Sequence, residues 1–253
     1  MKNLISCRPE SFGRYKDRAL ASLQQLGFEH IEIQVPAPDQ VQSVAQELKS
    51  YGLQAASIGF YDKVQNADFL DKLKEAVDAA TTLGASVIFT SQHAGETERK
   101  KIYETLRQAG DIAKAKNITI ALETHPDLCQ NATVALETMH STEHPNIRIN
   151  FDPANVHYYN ENVNAVNELH QIAPYVRAVH LKDTNGGFKT WHFPAIGEGV
   201  VDWPEVFSIM NQQGMYGPFT MEMEGIEGED LSFEETYARI EKSLDYLRSN
   251  GLI

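Results

Sequence analysis

The chain has 253 residues, 42% of them hydrophobic and 23% charged, and carries a formal net charge of −13. That length suits one large α/β domain or two small ones and buries roughly three-quarters of the unfolded surface, so the core needs no covalent staples. The excess of acid repels a polyanion and leaves no basic stripe to follow a phosphate backbone, which argues against a nucleic-acid partner, and no apolar run approaches the ~20 residues that cross a bilayer.

The first β-prone run, residues 3–7, ends at Cys7, and Arg8, Glu10, Arg14, Lys16 and Asp17 follow it almost at once. The N-terminus therefore lacks the apolar core of a secretory signal. Cys129 is the second of two cysteines, which fit no metal-binding spacing, so reduced thiols in a soluble cytoplasmic protein are expected. A run at 28–35 precedes Val41, Val44, Ala45 and Leu48, which recur at helical steps. Runs at 53–60 and 86–91 bracket a second helical pattern of Leu70, Leu73, Val77, Ala80 and Leu83. Ile102, Leu106, Ala109 and Ala113 form a third, ahead of the run at 118–124. Runs at 146–152 and 176–182 flank Val163, Val166, Leu169 and Ile172, and the run at 219–224 precedes Phe233, Tyr237, Ile240, Leu244 and Leu247. Gly27, Gly52 and Gly84 fall where helices should stop. Ser232-Phe-Glu-Glu235 reads as a capping box, and Asp202-Trp-Pro-Glu205 as a weaker one.

Eight strands, each followed by a helix and with no low-complexity linker between them, predict a single-domain (β/α)₈ TIM barrel over residues 1–253. An open doubly wound sheet should carry a glycine-rich turn after its first strand, and Cys7-Arg-Pro-Glu-Ser-Phe-Gly13 is no such turn.

Four of the later runs end on Glu123, Asp152, His180 and Glu222. One acid at a strand end is ordinary, and a lone strand histidine is more often a hydrogen-bonded core residue than a ligand. Four such groups at successive strand ends point to one converging site for a divalent cation held by oxygen and imidazole. Glu224 shares a strand face with Glu222, but it precedes Gly225 and lies nearer the rim, so Glu222 is the preferred ligand. Second-tier candidates for substrate contact are His93, His125, Asn155, His157 and Lys182, on or just beyond strand ends, and His192 and Glu198 in the long loop 185–201, since barrel loops build binding sites.

The motifs Ala121-Leu-Glu-Thr124, Phe151-Asp-Pro-Ala-Asn155, Val179-His-Leu-Lys-Asp183 and Phe193-Pro-Ala-Ile-Gly-Glu-Gly-Val-Val-Asp-Trp203 resemble the xylose isomerase-like barrel superfamily, and within it the sugar phosphate isomerase/epimerase branch. The resemblance runs through essentially the whole chain. It implies one divalent metal, manganese first and magnesium, cobalt or zinc as alternatives, held by Glu123, Asp152, His180 and Glu222. It also implies a small carbohydrate substrate, a cis-enediolate intermediate, and Glu123 and Glu222 as the acid/base pair; a dimer or tetramer is an open expectation, with Tyr158, Tyr159 and the loop near Trp191 as interface candidates.

Two other chemistries share this resemblance. A metal-dependent lyase or dehydratase acting on a keto-sugar or keto-inositol needs the same metal and base but expels a leaving group. A class II apurinic endonuclease needs three zinc ions; His93 and His192 could supply ligands, but Asn155, Thr190 and Ser57-Ile-Gly-Phe60 stand where further ligands belong. No dedicated phosphate-binding motif is present, and Lys182, Arg148, Arg177 and Lys189 are the cations placed near the later strands, with both arginines set deep in theirs.

Overall fold

In the computed structural model, which describes residues 1–253, the eight predicted runs form a closed parallel barrel. Its strands are β1 (Ile5–Cys7), β2 (His30–Gln34), β3 (Gln54–Gly59), β4 (Val87–Thr90), β5 (Thr119–Glu123), β6 (Ile147–Phe151), β7 (Val176–Leu181) and β9 (Phe219–Met221). Each is shorter than its sequence run, because the outermost residues turn away into loops. Closure falls between the first strand and the last, where Ile5 pairs with Phe219 and Cys7 with Met221. A short antiparallel pair, β8 (His192–Phe193) with β10 (Gly225–Ile226), stands outside the barrel and was not anticipated, since two residues carry no readable alternation.

The five helices foreseen from periodicity are α2 (Val41–Ser50), α3 (Phe69–Leu83), α4 (Arg99–Lys114), α7 (Ala165–Ile172) and α9 (Phe233–Ser249). Four more complete the outer layer: α1 (Ala19–Leu26), α5 (Ala132–Thr142), α6 (Pro153–Tyr159) and α8 (Trp203–Gln212), together with a 3₁₀ segment over Pro9–Arg18. Local chemistry explains several boundaries. Ser232 and Glu235 form the reciprocal capping box that opens α9, and the Asp202 carboxylate accepts from the Glu205 amide at 3.1 Å to open α8. Gly84 takes φ 77° to end α3, a left-handed turn that a Cβ would strain.

Helices and strands share one continuous core of 63 buried hydrophobic residues. Phe207 of α8 stacks on Phe219 of β9 at 4.2 Å, and Leu106 and Ala109 seat α4 with no exposure. Inside the bore a separate patch of Val87, Ala121 and Ala178 is lined by small side chains, which leaves room above it for polar groups. No helix is long and apolar enough to cross a membrane.

Both cysteines are free and buried, and burial pushes each thiol up to about 12, at Cys7 against a smaller lowering influence of the neighbouring Ser11 and Arg8. In the native protein a colorimetric thiol reagent at neutral pH should find neither, and denaturation should release both.

Candidate metal centre and active site

Residues two apart on a strand share a face, so each inward face leads up the bore to a polar side chain at the C-terminal mouth. Below the mouth lies a layer of short side chains. Ser6 and Thr220 bond to each other at 2.7 Å, and the Ser57 hydroxyl donates to Glu32 at 2.5 Å. Two residues further along, Thr220 gives way to Glu222, Ala121 to Glu123, Asn150 to Asp152, and Ala178 to His180 and then Lys182.

These four ends meet. One ligand atom from each of Glu123, Asp152, His180 and Glu222 lies within 4.8 Å of all the others, and all four residues are buried. His180 is the centre: its Nδ1 is 2.9 Å from Glu123 Oε1 and 3.0 Å from Glu222 Oε2, while its Nε2 lies 3.2 Å from Glu32 Oε1. Asp152 caps α6 through Oδ1, which accepts from the Asn155 amide at 3.0 Å.

Cations surround the carboxylates. Lys182, only 3% exposed, sets its ammonium 2.9 Å from Asp152 Oδ2 and donates to Glu222 at 3.2 Å and Glu224 at 3.0 Å. Arg8 bonds Glu222 Oε1, donates to the Tyr61 hydroxyl at 2.8 Å and lies 3.7 Å from Glu32. Ser91 donates to Glu123 Oε2, and His125 Nδ1 approaches the same oxygen at 3.0 Å. Burial opposes ionisation of Glu123 and Glu222. For Glu123 the His125 and His180 rings outweigh it, and for Glu222 Lys182, His180 and Arg8 do, so both carboxyls are held below their usual range. Asp152 goes the other way, pushed up to about 6 by burial with Glu222 and Glu123 adding to the effect, although Lys182 opposes it.

The donor set fits a divalent cation. Three carboxylates and one imidazole make a hard, mixed oxygen and nitrogen cage. Asp152 Oδ2 is buried without a hydrogen bond, since Lys182 reaches it as a charge but out of line for one. Glu32 occupies His180 Nε2 and so fixes which nitrogen faces the cluster.

Of the second-tier candidates, His125, Asn155 and Lys182 line a cavity of about 210 Å³ above the cluster, together with Arg8, Tyr61, Ser91 and the rings of Phe89, Tyr158, Tyr159, Trp191 and Phe193. Tyr158 and Tyr159 are thus walls of this cavity. His93 is exposed beside it, its ring 5.8 Å from that of His125. His157 and His192 are half-buried outside the lining, and Glu198 pairs with Lys242 of α9 on the outer surface. Glu224 reaches Lys182 from the rim and is not one of the four clustered groups. Arg148 and Arg177 donate to carbonyls at the opposite end of the barrel, the first to His144 at 2.9 Å and the second to Pro174 at 3.0 Å.

Sequence reasoning passed over Arg8, Glu32, Ser91 and Tyr61. Glu32 lies between Ile31 and Ile33, an alternation that reads as a solvent-facing acid on an ordinary strand. In a barrel the apolar face packs outward on helices and the acid turns into the bore, where it is 1% exposed.

One more carboxylate organises the rim. Asp183 accepts from the amides of Gly197 (2.8 Å), Gly199 (3.1 Å) and Val201 (3.2 Å) and from the Trp203 indole at 3.1 Å, fastening the loop 185–201 over the end of β7. A Cβ at Gly199 would overlap the Asp183 carboxylate and the Thr184 carbonyl, so the loop can close down only with glycine there.

A family model described as xylose isomerase-like TIM barrel matches residues 20–250. Among characterised proteins the chain is similar to L-ribulose-5-phosphate 3-epimerase UlaE of Escherichia coli, at 29% identity over 191 residues, which is 72% of this chain and 65% of that protein. The chain thus matches slightly under two-thirds of that relative's length. Among solved structures, D-allulose 3-epimerase from Methylomonas sp. superposes with TM-score 0.76 at 19% identity, covering 99% of this chain and 98% of that one. The probable 3-DHS dehydratase AsbF from Bacillus anthracis gives 0.73 at 21%, covering 97% and 99%. These two likenesses speak to the fold.

Replacing Asp183 by asparagine turns an ionic acceptor of several buried donors into a half-donor. It should cost about 3 kcal/mol of stability, read from the urea midpoint at unchanged slope.

Proposed function

Because the chain belongs to the xylose isomerase-like TIM barrel family, we propose that it is a divalent-metal-dependent ketose epimerase or aldose–ketose isomerase. In this reading Glu123 and Glu222 exchange protons with the carbon beside the sugar carbonyl. The observation that carries it is their placement: one oxygen of each lies on His180 Nδ1, at 2.9 and 3.0 Å, so the two carboxylates approach the cavity from different strands around a common centre.

Glu123, Asp152, His180 and Glu222 would hold the metal, with Mn²⁺ ahead of Mg²⁺, Co²⁺ or Zn²⁺. When bound it supplies Lewis acidity to the carbonyl and hydroxyl oxygens of the sugar, worth several kcal/mol in stabilising enediolate charge. The protein does the rest. One glutamate takes the proton from carbon, and the other returns one to the opposite face of that carbon (epimerisation) or to its neighbour (isomerisation), a contribution of roughly 10²–10⁴ in rate. His125 and Ser91 hold Glu123 ionised as the base, and Arg8 does the same for Glu222. Tyr158, Tyr159, Phe193 and Trp191 wall the cavity, limit water around the carbanionic intermediate and offer ring faces to sugar C–H groups. The similarity to an L-ribulose-5-phosphate 3-epimerase supports a ketose in this position.

The lyase reading has one observation in its favour: the Lys182 ammonium, beside Glu222 and Glu224 on the cavity wall, is placed to protonate a departing oxygen. Deuterium uptake from heavy water without loss of a group supports the epimerase or isomerase; stoichiometric release of water or an alcohol supports the lyase.

Glu123→Gln and Glu222→Gln should each reduce turnover by about 10²-fold or more while the circular dichroism spectrum stays native, and exhaustive chelation should silence the wild type until metal is restored. Full activity in metal-free protein would rule the mechanism out. Glu32→Ala, which removes the acceptor on the far side of His180, should weaken metal binding about 10–100-fold by calorimetry.

A further inference from the structure

Beside the catalytic cavity lies a larger one of about 560 Å³, and the two abut along Arg8, Trp191, Glu222 and Glu224. Enclosing ligand sites commonly measure roughly 300–1,000 Å³. The inner chamber, at about 210 Å³, is scaled to a small ligand, and the outer one adds a further volume of about 560 Å³ in continuity with it. From this we infer that the substrate is an uncharged keto-sugar bearing a second unit in glycosidic linkage: the reacting ketose sits over Glu123 and Glu222, and the second ring lies in the outer chamber. The inference rests on the proton-transfer reading above and names its substrate class.

Trp191 is built as the partition. Its ring meets Phe193 edge-on at 5.1 Å and Tyr158 edge-on at 6.1 Å, and the residue remains 41% exposed. Its carbonyl accepts the Glu227 amide at 2.9 Å, and the β8–β10 pair follows directly, so its backbone is anchored where the two chambers meet. A positioned aromatic face with apolar C–H groups opposite is how proteins hold sugar rings.

Charge decides against a phosphate in the outer chamber. Its acids are Glu10, Glu222, Glu224, Glu229 and Asp230, against three arginines. Each arginine already holds a carboxylate: Arg8 bonds Glu222, Arg14 bonds Asp230, and Arg239 donates to Glu229 at 2.7 Å. A dianion placed there would have to displace an acid from its partner, whereas sugar hydroxyls can donate to those same carboxylates without breaking the pairs.

The test presents one ketose in three forms to the Mn²⁺-loaded protein: D-fructose, D-fructose 6-phosphate and isomaltulose, in which the 6-oxygen carries a glucosyl group. Deuterium exchange beside the carbonyl is followed by NMR. Isomaltulose should exchange with a kcat/KM at least about tenfold above fructose, with the 6-phosphate slowest. Thr236→Trp, which fills the outer chamber from α9, should lower the isomaltulose value about tenfold or more and change that of fructose by less than about twofold. Leu231→Trp fills it from the facing loop and serves if the first variant is unstable. Fructose 6-phosphate as the best substrate, or a filled chamber that affects fructose and isomaltulose equally, would overturn the inference and leave the proton-transfer reading intact. No exchange with any of the three sinks both.

Discussion

Glu123, Asp152 and Glu222 bring three carboxylates into the barrel mouth, where withdrawing even one from water without a partner costs several kcal/mol. His180 is the group that Glu123 and Glu222 share, while Asp152 sits against Lys182, and Glu32 holds the far nitrogen of His180 at 3.2 Å. Lys182 and Arg8 complete the balance from β7 and from the end of β1, each reaching more than one acid. This arrangement lets the two glutamates stay ionised although they are buried, as the proposed proton transfer needs. It also explains why small side chains fill the layer beneath. Ser6, Ser57 and Thr220 give Glu32 and its neighbours hydrogen bonds without consuming the volume that the charged layer occupies.

The barrel was legible because its strands are near-continuous apolar runs, as strands covered on one face by helices and packed on the other must be. The four clustered groups were legible for the same reason, since a polar residue closing such a run stands out. Glu32 was not, because it sits inside its run between isoleucines, and strand alternation cannot say which face is the bore. Arg8 was hidden by its position just past a three-residue strand, in a segment whose 3₁₀ turns have no clear period. His192 and Glu198, in the 185–201 loop, and His157, on α6, all fall outside the cavity lining, because position after a strand end does not say which way a side chain turns.

That loop shows how a rigid edge is made from flexible material. It contains Gly186, Gly187, Gly197 and Gly199, and would be mobile as an isolated peptide. The Asp183 carboxylate gathers its returning limb by three backbone amides and ties it to the Trp203 indole at the start of α8. The outgoing limb is fixed by the short β8–β10 ladder. Phe193 belongs to that ladder and Trp191 adjoins it, which is why aromatic residues on a long loop can serve as walls of a cavity.

Barrel closure has a consequence for biosynthesis. Of the eight barrel strands, the one bearing Cys7 is synthesised first and its lateral neighbour bearing Met221 last. Arg8 and Glu32 therefore emerge while the carboxylate at 222 is still untranslated, and until then Arg8 has only Glu10 and Glu32 to pair with. Charge matching therefore spans that seam: a product lacking β9 would carry three of the four clustered groups with no closed barrel around them.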